Sequence, residues 1–420
     1  MSFIPLPRNE TKLDLSAFER AVAADSRDNI RGYIITQHNT VLHEHFWQPY
    51  NAENKVYLYS LTKPFTMTAI GLLADAGKLS VDDRVKDYFP ECDIPQKLHD
   101  MTIHHLLTMN TGEPDPGISE DAITRDDWAQ HFFDGDFAHE PGSYFRYNSG
   151  ASHVLSLIVS KVAGENVLSF LRSRLFAPLG FDEIYWTEDY HGNTVGGWGI
   201  SIRLEDVNKL GLLYLNGGTY NGKRILSQAW TAAAAANHCQ SSEFDPRPDW
   251  AAGYGYQLWR GQHNTYRGDG AFGQYNVILP QYKAVITLSG ETHDMQHTLS
   301  LIYQHLLPVL DDSPLRCGKL TNKDNILSLD TGKKIIQAGN HHWITQSGEN
   351  MPFGSPSWLP MAAATDIACR YCRNEDDTIT VILRYHGTPH SEHITINLHN
   401  KTAACPSNAT GKAAAWQMSL

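Results

Sequence analysis

Apolar and polar positions alternate with two different periods along this chain, and the change of period divides it. Residues 15–25 carry Leu15, Phe18, Ala21 and Val22 at helical spacing. Residues 32–36 and 40–47 then read as two strands around a His38-Asn39 turn. From 61 to 76 the pattern predicts a helix, with Phe65, Ile70, Leu72 and Leu73 apolar and Gly77 as its stop. Pro64 fits that helix only in its first turn, where no backbone donor is lost. Residues 85–142 are mixed, with short helical pieces among Pro, Gly and Asp. A second helix is expected at 152–163, closed by Gly164, and a third at 204–214, ended by Asn216-Gly217-Gly218.

The period changes at 253–290. Residues 254–259, 275–279 and 284–288 read as strands, with turns at 268–273 and 280–281, and a helix follows at 296–307. The pattern breaks at Asp311-Asp312-Ser313-Pro314, which we take as a boundary between domains at 1–312 and 313–420. Beyond it, residues 378–385 and 393–398 suggest a hairpin around Gly387-Thr388-Pro389, so the second domain is expected to be small and β-rich. No repeat of 20–50 residues interrupts this order.

Composition narrows the partners. The 34 basic and 46 acidic side chains give a formal net charge of −12, and no basic stripe is present. Phosphate binding needs clustered Lys and Arg, so nucleic acid and an anionic membrane surface are poor expectations. No uninterrupted apolar stretch reaches about 18 residues, so no transmembrane helix is expected. Residues 1–14 lack a basic segment followed by an apolar block, and the six Cys are scattered. Free thiols and a cytoplasmic location are the corresponding expectations.

The candidate chemistry begins at Ser60-Leu61-Thr62-Lys63. Spacing i, i+3 brings Ser60 and Lys63 to one face at the mouth of the 61–76 helix. A hydroxyl is a poor nucleophile until a base takes its proton, and a Lys kept neutral by burial can serve. Free N–H groups at a helix N-terminus can help build an oxyanion hole. Ser-x-x-Lys alone recurs by chance in chains of this composition.

Its neighbours make it specific. Tyr59 to Phe65 resembles the nucleophile helix of the penicillin-binding-protein and class C β-lactamase-like serine hydrolases. Glu140-Pro141-Gly142, leading to Tyr147-Asn148-Ser149, is similar to that family's Tyr-x-Asn motif. His105 to Gly112 and Gly196-Gly197-Trp198-Gly199 resemble two further blocks, and all occur in the family's order over about residues 15–310.

The resemblance implies an α+β (α/β) fold, with an antiparallel sheet flanked by helices and a mostly helical subdomain. It implies a Ser60 acyl-enzyme, with Lys63 as proton acceptor or electrostatic partner. Tyr147 would be a proton shuttle whose pKa is lowered by nearby cations. No metal or organic cofactor is implied, and either Lys63 or Tyr147 could be the formal base.

Two departures bear on substrate. Asn148 comes one position early, leaving Ser149 where the family has Asn. The family's Lys-Thr-Gly aligns with Gly268-Asp269-Gly270, and Ala271 then matches the residue whose N–H joins that of Ser60 in the oxyanion hole. Asn148, Ser149, Gly268, Asp269 and Gly270 are thus the expected substrate-binding positions. Asp269 reads equally well as a turn cap. With an acid in place of a cation, a carboxylate substrate would meet repulsion on the order of 1–4 kcal/mol at ~4 Å, unless Arg267 compensates.

The expected substrate is therefore a small neutral or amine-bearing ester or amide. β-Lactamase or DD-carboxypeptidase activity is the alternative, and a non-catalytic binding or scaffold protein is the alternative of another class. Joint retention of Ser60, Lys63 and Tyr147 argues against the scaffold. A metallohydrolase is a weaker idea. His43-Glu44-His45 places two imidazoles on one strand face without a third ligand in view, and Cys369-x-x-Cys372 with His341-His342 reads as structural thiols. Trp198 and Trp259 read as core fillers. Gly-x-Ser-x-Gly is absent. Subunit number is left open.

Overall fold

Strand pairing follows directly from the two apolar runs near the ends of the first unit. In the computed structural model, Asp28–Gln37 lies antiparallel to Ala284–Thr292, from Gly32 opposite Ser289 to Gln37 opposite Ala284. The structure describes residues 3–8, 14–24, 28–112, 127–181 and 183–310, together with the strands between Ile335 and Ser419. The chain falls into two compact units, 1–45 with 57–317, and 46–56 with 318–420. The expected boundary at 312/313 lies outside the described residues.

The first unit holds a six-stranded sheet. Its order is Thr40–Phe46, Asp28–Gln37, Ala284–Thr292, Gln274–Leu279, Tyr266–Gly270, Trp259–Arg260. Strands of the sheet centre are buried on both faces, which explains their continuous rather than alternating apolar pattern. The Leu204–Leu215 helix packs on one face, where Asn208 joins Thr36 (2.9 Å) and Thr287 (2.9 Å) in a satisfied buried network. Strand alternation turns Tyr33 to the opposite face from Thr36, and there Phe18 of the Ser16–Ala24 helix meets it edge-on at 5.2 Å. Glu19 of that helix reaches His43 and His45, so the histidine pair does have a third donor, supplied from outside its strand.

The helical subdomain is built on two helices, Lys63–Asp75 and Ser149–Ala163. Both bury most of their side chains, including Phe65, Met67, Ile70, Val154 and Ile158. Pro64 occupies the first turn as expected, and Gly164 closes the second helix with a left-handed φ of 72°. Among the described residues no single helix is long and apolar enough to cross a membrane; one bent pair, Ser149–Ala163 with Val167–Leu179, passes by length and composition only.

Two expectations are corrected here. Residues 254–258 form no strand, because Gly253 (φ 110°) and Gln257 (φ 50°) break the extended run; Tyr254 makes only isolated bridges, to Cys239 and Trp259, and the strand is confined to Trp259–Arg260. The turn expected at 268–273 is shorter, since the strand runs through Gly270 and only then reverses at Phe272 (φ 66°) and Gly273 (φ 85°).

The second unit carries a nine-stranded sheet, β-rich as expected. Thr378–Tyr385 pairs antiparallel with Ser391–Asn397, from Thr378 opposite Asn397 to Arg384 opposite Ser391. The turn expected at Gly387-Thr388-Pro389 lies outside the described residues. So do the side chains of Cys369, Cys372, His341 and His342.

Candidate active site

Ser60 sits in a 3-10 turn, Tyr59–Thr62, that runs straight into the Lys63–Asp75 helix. Tyr59 holds a left-handed backbone (φ 49°), unusual for a bulky residue. Its ring is fixed edge-on by Tyr57 (4.7 Å) and Phe272 (5.3 Å), packing that over-determines the strained residue beside the nucleophile.

Lys63 is 1% exposed. Its Nζ lies 2.8 Å from Ser60 Oγ, 3.1 Å from Ser149 Oγ and 2.8 Å from the Gly197 carbonyl oxygen. Burial lowers its pKa from 10.5 to about 7, although the Asp269 carboxylate pulls the other way. A neutral amine has two hydrogens and one lone pair. The Gly197 carbonyl can only accept, so three partners are satisfied when one hydroxyl donates to the lone pair. Ser60 is positioned to be that hydroxyl.

The Tyr147 hydroxyl faces Ser60, a contact that on its own would lower the phenol pKa. Its half-buried ring lies 4.7 Å from Lys63 Nζ and stacks on Trp259 at 5.4 Å and 11°. The expected lowering of its pKa is reversed. Burial and the nearby Asp269 carboxylate raise it well above the ordinary phenol value, so the hydroxyl keeps its proton. Lys63 is the member of the pair poised to change charge near neutrality. Trp259 fills the core as expected and also fixes the plane of Tyr147. Trp198 is buried 6.3 Å from Trp128 and is a core residue.

Asn148 and Ser149 divide what the family places in one residue. Ser149 Oγ takes the contact with Lys63. Asn148 is fully buried and caps the Ser149–Ala163 helix, its side-chain oxygen accepting from Ala151 N–H at 3.1 Å. The side-chain oxygen expected to meet substrate is thus engaged at the helix end.

The strand Tyr266–Gly270 brings the third element. A side chain at Gly268 would meet Leu61 and Pro64, and one at Gly270 would overlap the Leu58 carbonyl. These glycines therefore admit the protein's own nucleophile segment at close range. Beyond them Ala271 is exposed at the start of the turn.

Asp269 is neither a turn cap nor an isolated acid. It is paired with the fully buried Arg267, whose Nε and Nη2 both lie 3.1 Å from Oδ2. Arg267 Nη1 also donates to the carbonyls of Asp249 (2.9 Å) and Arg260 (3.1 Å), and its guanidinium faces the Trp250 ring at 4.6 Å. The negative charge assigned to this position is thus balanced two residues away. Removing it leaves a buried cation without its partner, so Asp269→Asn is expected to destabilise the fold by about 3–5 kcal/mol in chemical denaturation. A loss under about 1 kcal/mol would mean that Arg267 finds another anion.

Two contributors were not singled out by sequence reasoning. The Gly197 carbonyl anchors Lys63, and Thr66 Oγ1 holds the Gly196 carbonyl at 2.8 Å. Gly196 N–H in turn donates to His153 Nδ1 (3.2 Å), whose Nε2 is fixed by Asp189 (3.2 Å). The glycine pair itself was the available signal, since any side chain there would strike Ser152 or Ser149 backbone.

Comparison with known proteins bears on the family and the fold. The family model described as Beta-lactamase matches residues 18–297, two thirds of the chain. A 6-aminohexanoate-dimer hydrolase from Paenarthrobacter ureafaciens is 25% identical over 276 residues, covering 60% of this chain and 70% of its own. Penicillin-binding protein 4* of Bacillus subtilis (strain 168) is 28% identical over 361 residues, covering 72% and 77%. The octameric penicillin-binding protein homologue from Pyrococcus abyssi has the same fold, with a TM-score of 0.57 at 16% identity over 93% of this chain and 97% of its own. Fold, motif order and family match together place this chain in the β-lactamase family of serine hydrolases.

Proposed function

We propose that the chain hydrolyses a small ester or amide through an acyl-enzyme on Ser60. The contact that carries this reading is Lys63 Nζ at 2.8 Å from Ser60 Oγ, with the amine held near neutrality by burial. Neutral Lys63 takes the hydroxyl proton as Oγ bonds to the substrate carbonyl carbon. The N–H groups of Ser60 and Ala271 receive the developing oxyanion. As the tetrahedral adduct collapses, the leaving alcohol or amine departs with a proton passed by way of Tyr147, which is replenished from Lys63. Water then attacks the acyl carbon, gives up its proton by the same route, and Ser60 leaves as the hydroxyl.

The relative named for a 6-aminohexanoate dimer supports an amide of an amino acid as one substrate of this kind. With the Arg267–Asp269 pair balanced and no cation at Gly268, a neutral or amine-bearing acyl group is favoured over a carboxylate-bearing one. An aromatic wall of Tyr147 and Phe244, backed by the buried Trp259, offers it an apolar surface.

A fluorophosphonate probe followed by peptide mapping tests the mechanism, and the expected adduct lies on residue 60. An adduct on another residue with residue 60 unmodified would end it. In a substrate panel, neutral esters and amides should outpace a cephalosporin carrying a free carboxylate, and equal rates would remove the charge argument.

A further inference from the structure

The sheet face opposite the Leu204–Leu215 helix carries a cluster that hydrolysis does not use. His43 and His45 lie two residues apart on Thr40–Phe46 and therefore share a face. Glu19 comes from the Ser16–Ala24 helix packed there. One donor atom from each of the three lies within 4.8 Å of the other two. Glu19 Oε1 stands 3.4 Å from His43 Nε2 and 3.6 Å from His45 Nδ1.

Those separations have a chemical meaning. Nitrogen and oxygen ligands at about 2.0–2.2 Å from a tetrahedral ion stand roughly 3.3–3.6 Å apart. They are long for a hydrogen bond, and the buried His43 Nε2 makes none. The carboxylate is held in place, because Tyr33 donates its hydroxyl to Glu19 Oε1 at 3.0 Å. The Tyr33 ring also lies near-parallel to His43 (5.6 Å, 17°) and His45 (6.2 Å, 26°) and fixes the imidazole planes. Such outer contacts orient ligands in built metal sites. Glu44 points to the other face and is engaged by Arg8 at 3.1 Å, so it does not compete.

We propose that Glu19, His43 and His45 bind a divalent transition-metal ion, with zinc as the best match to two imidazoles and one carboxylate. The side chains of His43, His45 and Glu19 are 22%, 38% and 31% exposed, so an ion can enter and water can complete the tetrahedron. Thr40–Phe46 is the outer strand of the sheet, four positions from Tyr266–Gly270, roughly 19 Å at ordinary strand spacing. The ion therefore clamps the first helix onto the sheet edge and takes no part at Ser60.

Chelator-stripped protein titrated with cobalt(II) tests the site. The expected result is one equivalent bound, with the intense visible bands of four-coordinate cobalt, bleached by added zinc. Glu19→Gln keeps an acceptor for Tyr33 but removes the anionic ligand, and it should weaken binding at least about tenfold. His43→Ala or His45→Ala should abolish the bands, while all three variants keep wild-type ester hydrolysis as proof of folding. Zinc should also raise the melting temperature of wild type and not that of Glu19→Gln. No saturable binding up to about 1 mM metal would overturn the proposal. Equal affinity in wild type, Glu19→Gln and His45→Ala would overturn it too, assigning any bound ion to others of the 21 histidines.

Discussion

Replacing Ser60 by alanine is expected to lower kcat/KM for a neutral ester by roughly 10⁴-fold or more, because no later step can proceed without the acyl-enzyme. Substrate contacts with the aromatic wall remain, so KM should move little by comparison. The fold should also survive, since Ser60 is half-buried and its loss removes hydrogen bonds worth about 1 kcal/mol each. The measurement has a built-in rival, because Ser149 Oγ lies 3.1 Å from the same Lys63 Nζ. Activity that persists in Ser60→Ala and disappears in Ser149→Ala would transfer the nucleophile to Ser149. Ser60 is the nearer of the two, at 2.8 Å from Lys63 Nζ, which is the reason to expect otherwise.

Lys63→Met should separate activity from stability. Without a proton acceptor, kcat should fall by about 10²–10⁴-fold. The acid limb of the wild-type profile should rise through a pH of about 7, where Lys63 becomes neutral, and the variant should lack that limb. Stability should move the other way. The folded pKa is depressed below the unfolded 10.5, so between about 7 and 10.5 the unfolded chain binds more protons, and stability rises with pH across that window. Below it the fold carries a buried ammonium at a cost on the order of 5 kcal/mol. Methionine removes this cost and forfeits up to three hydrogen bonds of about 1 kcal/mol each. The variant should therefore be more stable than wild type at pH 6, with the gap narrowing toward pH 10. A variant less stable at pH 6 would mean that the site solvates the ammonium well.

Local spacing carried much of the site. The i, i+3 pair, Pro64 in a first turn and Gly164 at a helix end are short-range features, and each lies where its spacing placed it. What the sequence concealed depends on contacts between distant segments. Arg267 and Asp269 sit two residues apart on one strand, yet their pairing depends on Trp250 and the Asp249 carbonyl enclosing the guanidinium. Asn148 differs from its neighbour Ser149 only in what the helix end requires of it. The family pattern records residue types at these positions and says nothing about which are already satisfied by the protein. Glu19 was hidden for the same reason: it reaches His43 and His45 only after a helix folds across the sheet. Strand ends were misjudged where single left-handed residues such as Gln257 break an otherwise extended run.

The close fit at Gly268 constrains which side chains this position can hold. A Cβ there would come within 2.6 Å of Leu61 Cδ1 and 2.8 Å of Pro64 Cγ. Leu61 can swing aside, but the Pro64 ring is held in the first turn of the nucleophile helix. A lysine substituted at 268 would therefore press on the nucleophile segment before it could recruit a carboxylate. Installing a cation there is expected to require a companion change at position 64 or 61, so these positions are coupled by sterics.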